Sequence, residues 1–255
     1  MSHPKMNQKI KFVFFGSSRF STFVLDELEK AGYSPALNIT SANGSLPIEE
    51  LKTLQADLFI VASFGKIIPQ SVLDLPKLGC VNVHPSLLPK YRGPSPIQNQ
   101  ILDGAEVGVT IIKMDAEMDH GPILAQEKVV LTPWPDHYEV VEEKLARAGG
   151  KLLIKVLSEP FSETPQNHSS ATYIKMIKKE DGLLDLNAEA ETNYRKVLAY
   201  STWPQAYFFF KKKTGEEIRV VVKDAEVKEG VFTPIRVIPA GKKEMVWADF
   251  LRGNA

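Results

Sequence analysis

The sequence predicts a doubly wound, Rossmann-like α/β domain followed by a small, mostly β carboxyl-terminal module. Three observations carry that reading. The first half alternates short, almost unbroken apolar runs with amphipathic stretches, the text turns polar near residue 159, and the β-prone runs beyond it are short.

Lys9–Phe15 (KIKFVFF) is apolar on both faces and ends at Gly16, as expected of a strand buried in a parallel sheet. A helix follows over about Ser21–Ala31, with Phe23, Val24, Leu25 and Leu28 on its apolar side and Gly32 as its stop. Ala36–Ile39 reads as the second strand. Pro47–Leu54 reads as a short helix, with Glu49 and Glu50 in the first turn, where backbone N–H groups favour negative charge. Asp57–Ser63 and Cys80–His84 are the third and fourth strands. Pro96 opens another helix at the position where its missing N–H costs nothing. Gly108–Met114 and Pro122–Val130 are two more strands, and Tyr138–Leu157 is a long amphipathic helix. These elements place a catalytic domain at residues 1–158. Glu159–Ser170 is polar and aperiodic, so residues 159–171 read as a linker and residues 172–255 as the shortened module. The module holds a helix near Ala188–Leu198 and β-prone runs at Tyr207–Phe210, Ile218–Val222 and Val231–Val237.

Lys plus Arg equals Asp plus Glu at 31 each, so there is no general electrostatic affinity for nucleic acid. The single cysteine, Cys80, excludes an internal disulfide and fits a reducing compartment. No signal peptide or membrane span is legible, which places the protein in the cytoplasm, away from membranes. No protein partner is legible either. Gly16-Ser17-Ser18 is a lone glycine turn rather than a dinucleotide fingerprint, and there is no phosphate loop, zinc spacing or serine elbow. His3, His137 and His168 stand alone and read as exposed, and Trp134 and Trp203, each beside a proline, read as packing anchors.

Asn82 and His84 lie two apart on a strand, so both side chains leave one face while Val81 and Val83 leave the other. Pro85 ends the strand at once, where open α/β sheets bind ligands. The pair either serves a site or satisfies nearby loop backbone. Ser86–Pro89 and the following KYRGP carry two prolines and a glycine, giving an ordered loop that is either a pocket floor or a rigid connector. Asp115, Glu117 and Asp119 put three carboxylates in five positions. They could hold a divalent metal, form a solvated turn, or send Asp119 to His84 to hold its tautomer.

The segment CVNVHPSLLPKYRGPSPIQNQILDG, followed by GVTIIKMDAEMDHGPILAQ, resembles the folate-dependent formyltransferase superfamily, and within it, in shortened form, the branch that formylates methionyl-tRNA. The resemblance runs from about residue 9 to 158. It continues in ATYIKMIKKEDGLLDL, Trp203-Pro204 and the terminal PAGKKEMVWADFL. It implies catalytic positions at Asn82, His84 and Asp119, and folate contacts at Lys66, Ile67 and Ile68, at Ser86, Leu87, Leu88 and Pro89, and at Asp115 and Met118. Arg92 is expected at the site mouth, holding the acceptor. The implied reaction takes a formyl group from 10-formyltetrahydrofolate to the amino group of methionyl-tRNA, without a metal. The alternatives are an amino sugar nucleotide as acceptor, or a silent folate-binding module, against which the intact Asn82, His84 and Asp119 set argues. The chain departs from the family pattern in four places, one of them the carboxyl-terminal module, which passes from DAEVKEG to the terminal PAGKK within a few residues. After Ile39-Thr40 it runs straight to Ser41-Ala42-Asn43-Gly44 where the family carries a basic insertion that contacts tRNA, so a weak hold on tRNA is implied; His120 and Leu186 stand where threonine and tryptophan are usual.

Overall fold

The computed structural model describes residues 10–254. His3 lies outside the described residues. The chain divides into two compact units. The first comprises the stretch up to Pro96 with Glu106–Val130 and Glu142–Ile174; the second comprises Ile97–Ala105, Leu131–Val141 and the stretch from Lys175.

The first unit is built on a six-stranded sheet of β1 (Phe12–Phe15), β2 (Leu37–Ile39), β3 (Leu58–Val61), β4 (Cys80–His84), β5 (Val107–Lys113) and β6 (Ile123–Val129), in the order β2-β1-β3-β4-β5-β6. The first four strands are parallel, and β5 and β6 run antiparallel to their neighbours. Helices α1 (Arg19–Lys30), α2 (Ile48–Leu54) and α3 (Gln70–Leu73) connect the parallel strands, and α5 (Tyr138–Ser158) follows β6. The short α4 (Pro96–Asp103) precedes β5. Ser18 caps α1 in a reciprocal capping box with Ser21. That box needs Gly16, because a Cβ there would strike the Ser21 side chain.

Strand parity sorts the core. Val13, Phe15, Phe59, Val61 and Cys80 pack with Leu51 of α2 and Val72 and Leu73 of α3 on one face of the sheet. Asn82 and His84 share the parity of Cys80 and therefore that face. Val81 and Val83 point to the other face, where α5 lies so close that a Cβ on Gly149 would stand 2.6 Å from Val83 Cγ1. A Cβ on Gly150 would stand 2.7 Å from Glu27 Cβ and 3.1 Å from the Val24 carbonyl oxygen of α1. The same contact is latched by Arg147 Nη1 to Glu27 Oε1 at 2.8 Å, and Arg19 and Arg147 both lie over the Phe23 ring. Two glycines inside a helix cost about 1 kcal/mol each in propensity; here they let α5 reach the sheet and α1. Cys80 is buried, and burial with the nearby Asp74 charge pushes its thiol up to about 12, so it is held as an inert core residue.

The second unit holds an antiparallel sheet, ordered β10-β9-β8-β7, of β7 (Tyr207–Lys211), β8 (Glu217–Lys228), β9 (Val231–Pro239) and β10 (Met245–Val246). Helices α6 (Ala190–Ala199) and α7 (Trp247–Asn254) belong with it. Sequence reading found α6 and the first three strands but missed α3, β10 and α7. The α7 segment is eight residues long, barely two turns, so too few apolar positions repeat to set a helical period apart from a short β-prone run. Its Phe250 is 2% exposed, stacks with Trp247 at 5.1 Å and meets Phe210 edge-on at 5.0 Å.

On an open helix face Gly150→Ala would stabilise by about 1 kcal/mol. Here the methyl meets α1, and overpacking of this kind costs about 1–3 kcal/mol. The expected outcome is a lower melting temperature in calorimetry; a rise of a few degrees would refute the close approach.

Candidate active site

The site gathers on the last residues of β4. Asp119 Oδ1 lies 3.3 Å from Asn82 Nδ2 and 3.4 Å from His84 Nδ1, and Asp119 Oδ2 accepts from the Gly93 N–H at 2.8 Å. His84 Nε2 lies 3.1 Å from the Tyr91 carbonyl oxygen. A carboxylate and a carbonyl only accept, so a ring nitrogen that carries a proton donates to whichever of the two it faces. His84 and Asp119 side chains are 5% and 11% exposed. The pair is shielded enough for its contacts to escape most solvent screening.

Asp119 arrives by an indirect route. Because β5 is antiparallel, its last residues lie beside the start of β4: Lys113 pairs with Val81, and the Met114 N–H donates to the Cys80 carbonyl. The loop Asp115–Gly121 then folds back along β4. Asp119 sits in the left-handed region at φ 53°, which costs a non-glycine residue of order 1–3 kcal/mol. Gly121 closes the loop where any Cβ would strike the Lys113 carbonyl.

Burial is the strongest single influence on the Asp119 carboxyl and alone would raise it. The charge and hydrogen bond of His84, the Gly93 N–H and the Arg92 charge together outweigh burial, so the carboxyl is held below its ordinary value.

Several expected residues take other places. Arg92, expected at the site mouth, is 1% exposed. Its guanidinium donates to Gln166 Oε1 at 2.7 and 3.3 Å and to the Tyr173 hydroxyl at 3.1 Å, and lies 2.9 Å from His168 Nδ1. A buried guanidinium engaged by these partners is a clamp inside the unit rather than a surface hold on an acceptor. His168, expected to stand alone, also stacks on His120 with ring centroids 4.1 Å apart. His137 is half-buried and its Nδ1 lies 3.7 Å from Asp136. Trp203 is 53% exposed, so it is no core anchor, because half of its ring meets water.

The carboxylates of the 115–119 loop are divided. Asp115 Oδ2 lies 2.8 Å from His120 Nδ1 and its Oδ1 accepts from the Glu117 N–H, while Asp119 serves His84. Among the described residues no group of three or more His, Cys, Asp or Glu side chains is placed to hold a metal. Ser86 and Leu88 are buried, and Thr110 and Gln126 fix their loop: Thr110 donates to the Ser86 carbonyl, and Gln126 to the Leu88 carbonyl and to Thr110. Leu87 and Pro89 are half-buried. Ile68 is core, whereas Ile67 and Met118 are 82% and 59% exposed. The Lys66 ammonium bonds the Gly44 carbonyl.

Sequence reading missed Gln166. It is 5% exposed and donates from Nε2 to the carbonyls of Asp119, at 2.9 Å, and Gly121, at 2.7 Å. Lying in polar text read as a linker, it gave no periodic signal. Residues 164–173 bond throughout to the first unit: Thr164 pairs with Ile123, and Thr172 bonds Tyr91, Arg92 and Pro89.

An open α/β sheet that brings an amide, an imidazole and a carboxylate together at one strand end is the framework of an enzyme. Residues 11–157 match the family model "Formyl transferase", and residues 176–234 match "Formyl transferase, C-terminal domain". The chain belongs to the formyltransferase family, and it is a formyltransferase of two-domain type. A methionyl-tRNA formyltransferase of Paramagnetospirillum magneticum is 34% identical, with 96% of this chain and 97% of that one covered. Among solved structures, a methionyl-tRNA formyltransferase from Clostridium thermocellum superposes with a TM-score of 0.72 at 18% identity, covering 93% of this chain and 99% of that one. HypX from Aquifex aeolicus, solved with tetrahydrofolic acid, gives 0.72 at 18% identity over 96% of this chain and 47% of that one. A 4-N formyltransferase from Francisella tularensis gives 0.60 at 20% identity over 86% and 100%. The structural likenesses establish the fold.

The depressed Asp119 carboxyl fixes the sign of a pH effect. Its contribution to stability is whole above the unfolded value of about 3.9 and is lost as pH falls through that value and then the lower folded one. In urea titrations the stability gap between wild type and Asp119→Asn should be steady above about pH 5 and narrow as pH falls through about 3.9 and below. A gap that stays constant would contradict the assignment.

Proposed function

We propose that the protein transfers a formyl group from 10-formyltetrahydrofolate to the amino group of methionyl-tRNA. The observation that carries the chemistry is the convergence of Asn82, His84 and Asp119 in a formyltransferase chain. The acceptor reading is supported by 34% identity, over nearly the full length of both chains, to a methionyl-tRNA formyltransferase.

The reaction forms a bond from the acceptor amine to the formyl carbon and breaks the bond from that carbon to the donor nitrogen. Between the two events the formyl oxygen carries negative charge. Asn82 Nδ2 is a donor to that oxygen, as is a protonated His84 Nε2 once it leaves the Tyr91 carbonyl, and the charge they meet appears only after attack. Asp119 takes the proton that the attacking amine sheds, directly or through a water, and orients His84. His84 returns a proton to the leaving nitrogen. Ile67 and Met118 offer exposed apolar surface for a flat ring system, and the Ser86–Pro89 loop forms the floor. Translation in a reducing cytoplasm fits a chain whose one cysteine is buried.

For the tRNA, with Arg92 buried, the candidate contacts are on the second unit. Lys211, Lys213, Lys242 and Lys243 are exposed, Phe209 is 55% exposed, and Arg219 lies 3.9 Å from the Tyr207 ring centroid. Lys212 is paired with Glu216 at 2.9 Å. Residues 159–255 hold 15 Lys plus Arg against 14 Asp plus Glu, so the hold on phosphate is weak. A second acceptor class, an amino sugar nucleotide, is the runner-up, because enzymes described as sugar N-formyltransferases share this fold.

Asn82→Ala, His84→Ala and Asp119→Ala should each lower turnover by about 10²–10³ with the fold intact, as loss of a donor to developing charge does. Near-native turnover in the His84 variant would assign the proton work elsewhere. The Michaelis constant for methionyl-tRNA should rise only shallowly with salt, against a slope of about −0.9 per phosphate neutralised on duplex DNA. The Lys211, Lys213, Lys242 and Lys243 to Ala variant should raise that constant and leave folate binding unchanged. Formyl transfer to amino sugar nucleotides and none to methionyl-tRNA at any salt would reverse the choice of acceptor.

A further inference from the structure

We infer that Gln166 is a positioning residue for catalysis, acting through Asp119. This rests on the reading of Asn82, His84 and Asp119 as the catalytic set. The inference starts from a conflict. Asp119 must face Asn82 and His84 from a left-handed backbone conformation, which is costly for a non-glycine residue. Such a conformation persists only where its surroundings fix it. The Gly93 N–H fixes the carboxylate end, at 2.8 Å from Oδ2. Gln166 fixes the backbone end, since its Nε2 protons go to the carbonyls of Asp119 and Gly121, on either side of His120.

The other end of the same amide is committed as well. Gln166 Oε1 accepts two bonds from Arg92, the residue immediately before Gly93. One buried primary amide therefore ties the loop that carries Asp119 to the side chain of the residue next to Gly93, whose N–H meets the Asp119 carboxylate. Its two donors and one acceptor oxygen are all used, so no other side chain of similar size replaces it: glutamate has no donors, and methionine has neither function. A displacement of the Asp119 carboxylate by about 1 Å can cost about 10² in rate.

The test uses the full-length enzyme in formyl transfer from 10-formyltetrahydrofolate to methionyl-tRNA. Gln166→Glu keeps the acceptor for Arg92 and loses the donors to the loop. Its kcat should fall about 10- to 100-fold, with the Michaelis constants for both substrates changed less than about twofold. In an Asp119→Asn background the same substitution should have almost no further effect on kcat, because its route of action is gone. A merely structural role would give the same loss in both backgrounds and would overturn the inference. Near-native kcat in Gln166→Glu alone would also overturn it, leaving the catalytic reading intact. Full turnover in Asp119→Asn would instead remove the catalytic reading itself. If the variants fail to fold, the intact protein decides: both Gln166 side-chain amide protons should exchange slowly with solvent in NMR, and fast exchange would refute the tether.

Discussion

The carboxylate of Asp119 is the constraint around which the first unit is arranged. It receives Asn82 and His84 on one oxygen and the Gly93 N–H on the other, in a place where burial opposes its charge. A buried carboxylate without such donors would take up a proton. With them it stays an anion and holds an amide and an imidazole in fixed directions. Two of these partners come from one face of β4 and the third from the loop beyond Arg92. The carboxylate is therefore satisfied only when β4, its following loop and the β5–β6 loop are all in register.

That register depends on close approaches elsewhere. Strand β4 is pressed from its other face by α5, which comes near only because Gly149 lacks a side chain, while Gly150 lets the same helix lie against α1. The β5–β6 loop reverses tightly only because Gly121 has no Cβ. The antiparallel direction of β5 sets the path of the loop. A parallel β5 would have delivered it to the far end of β4, whereas the observed strand delivers it to the near end and sends Asp119 back along the strand. Folding back is possible because the left-handed turn at Asp119 is tethered by Gln166.

The second unit solves a separate problem. Its sheet has four strands, two of them at edges, and a small core. Phe210, Trp247 and Phe250 pack together and dock the last helix on it, so aromatic area compensates for small size. Its exposed surface carries lysines and an aromatic–arginine pair without a surplus of positive charge.

Much of this was legible in the residues. Apolar runs located the buried strands because a strand covered on both faces has no room for polar side chains, and Cys80–His84 was read to the residue. The parity of Asn82 and His84 placed them on one face, since the pleat allows nothing else. The formyltransferase resemblance followed from motifs whose order the chain preserves. Strand direction was not legible: β5 follows a helix as a parallel strand would, and only hydrogen-bond pairing with β4 shows it reversed. Nor was the place of Arg92, because exposure depends on what packs around a residue and Gln166, His168 and Tyr173 are more than seventy positions away in sequence. Local sequence determines which face a side chain leaves from and how a helix begins. Which groups meet a buried carboxylate is decided only when distant segments close around it, because the energy that selects them exists only in the assembled interior.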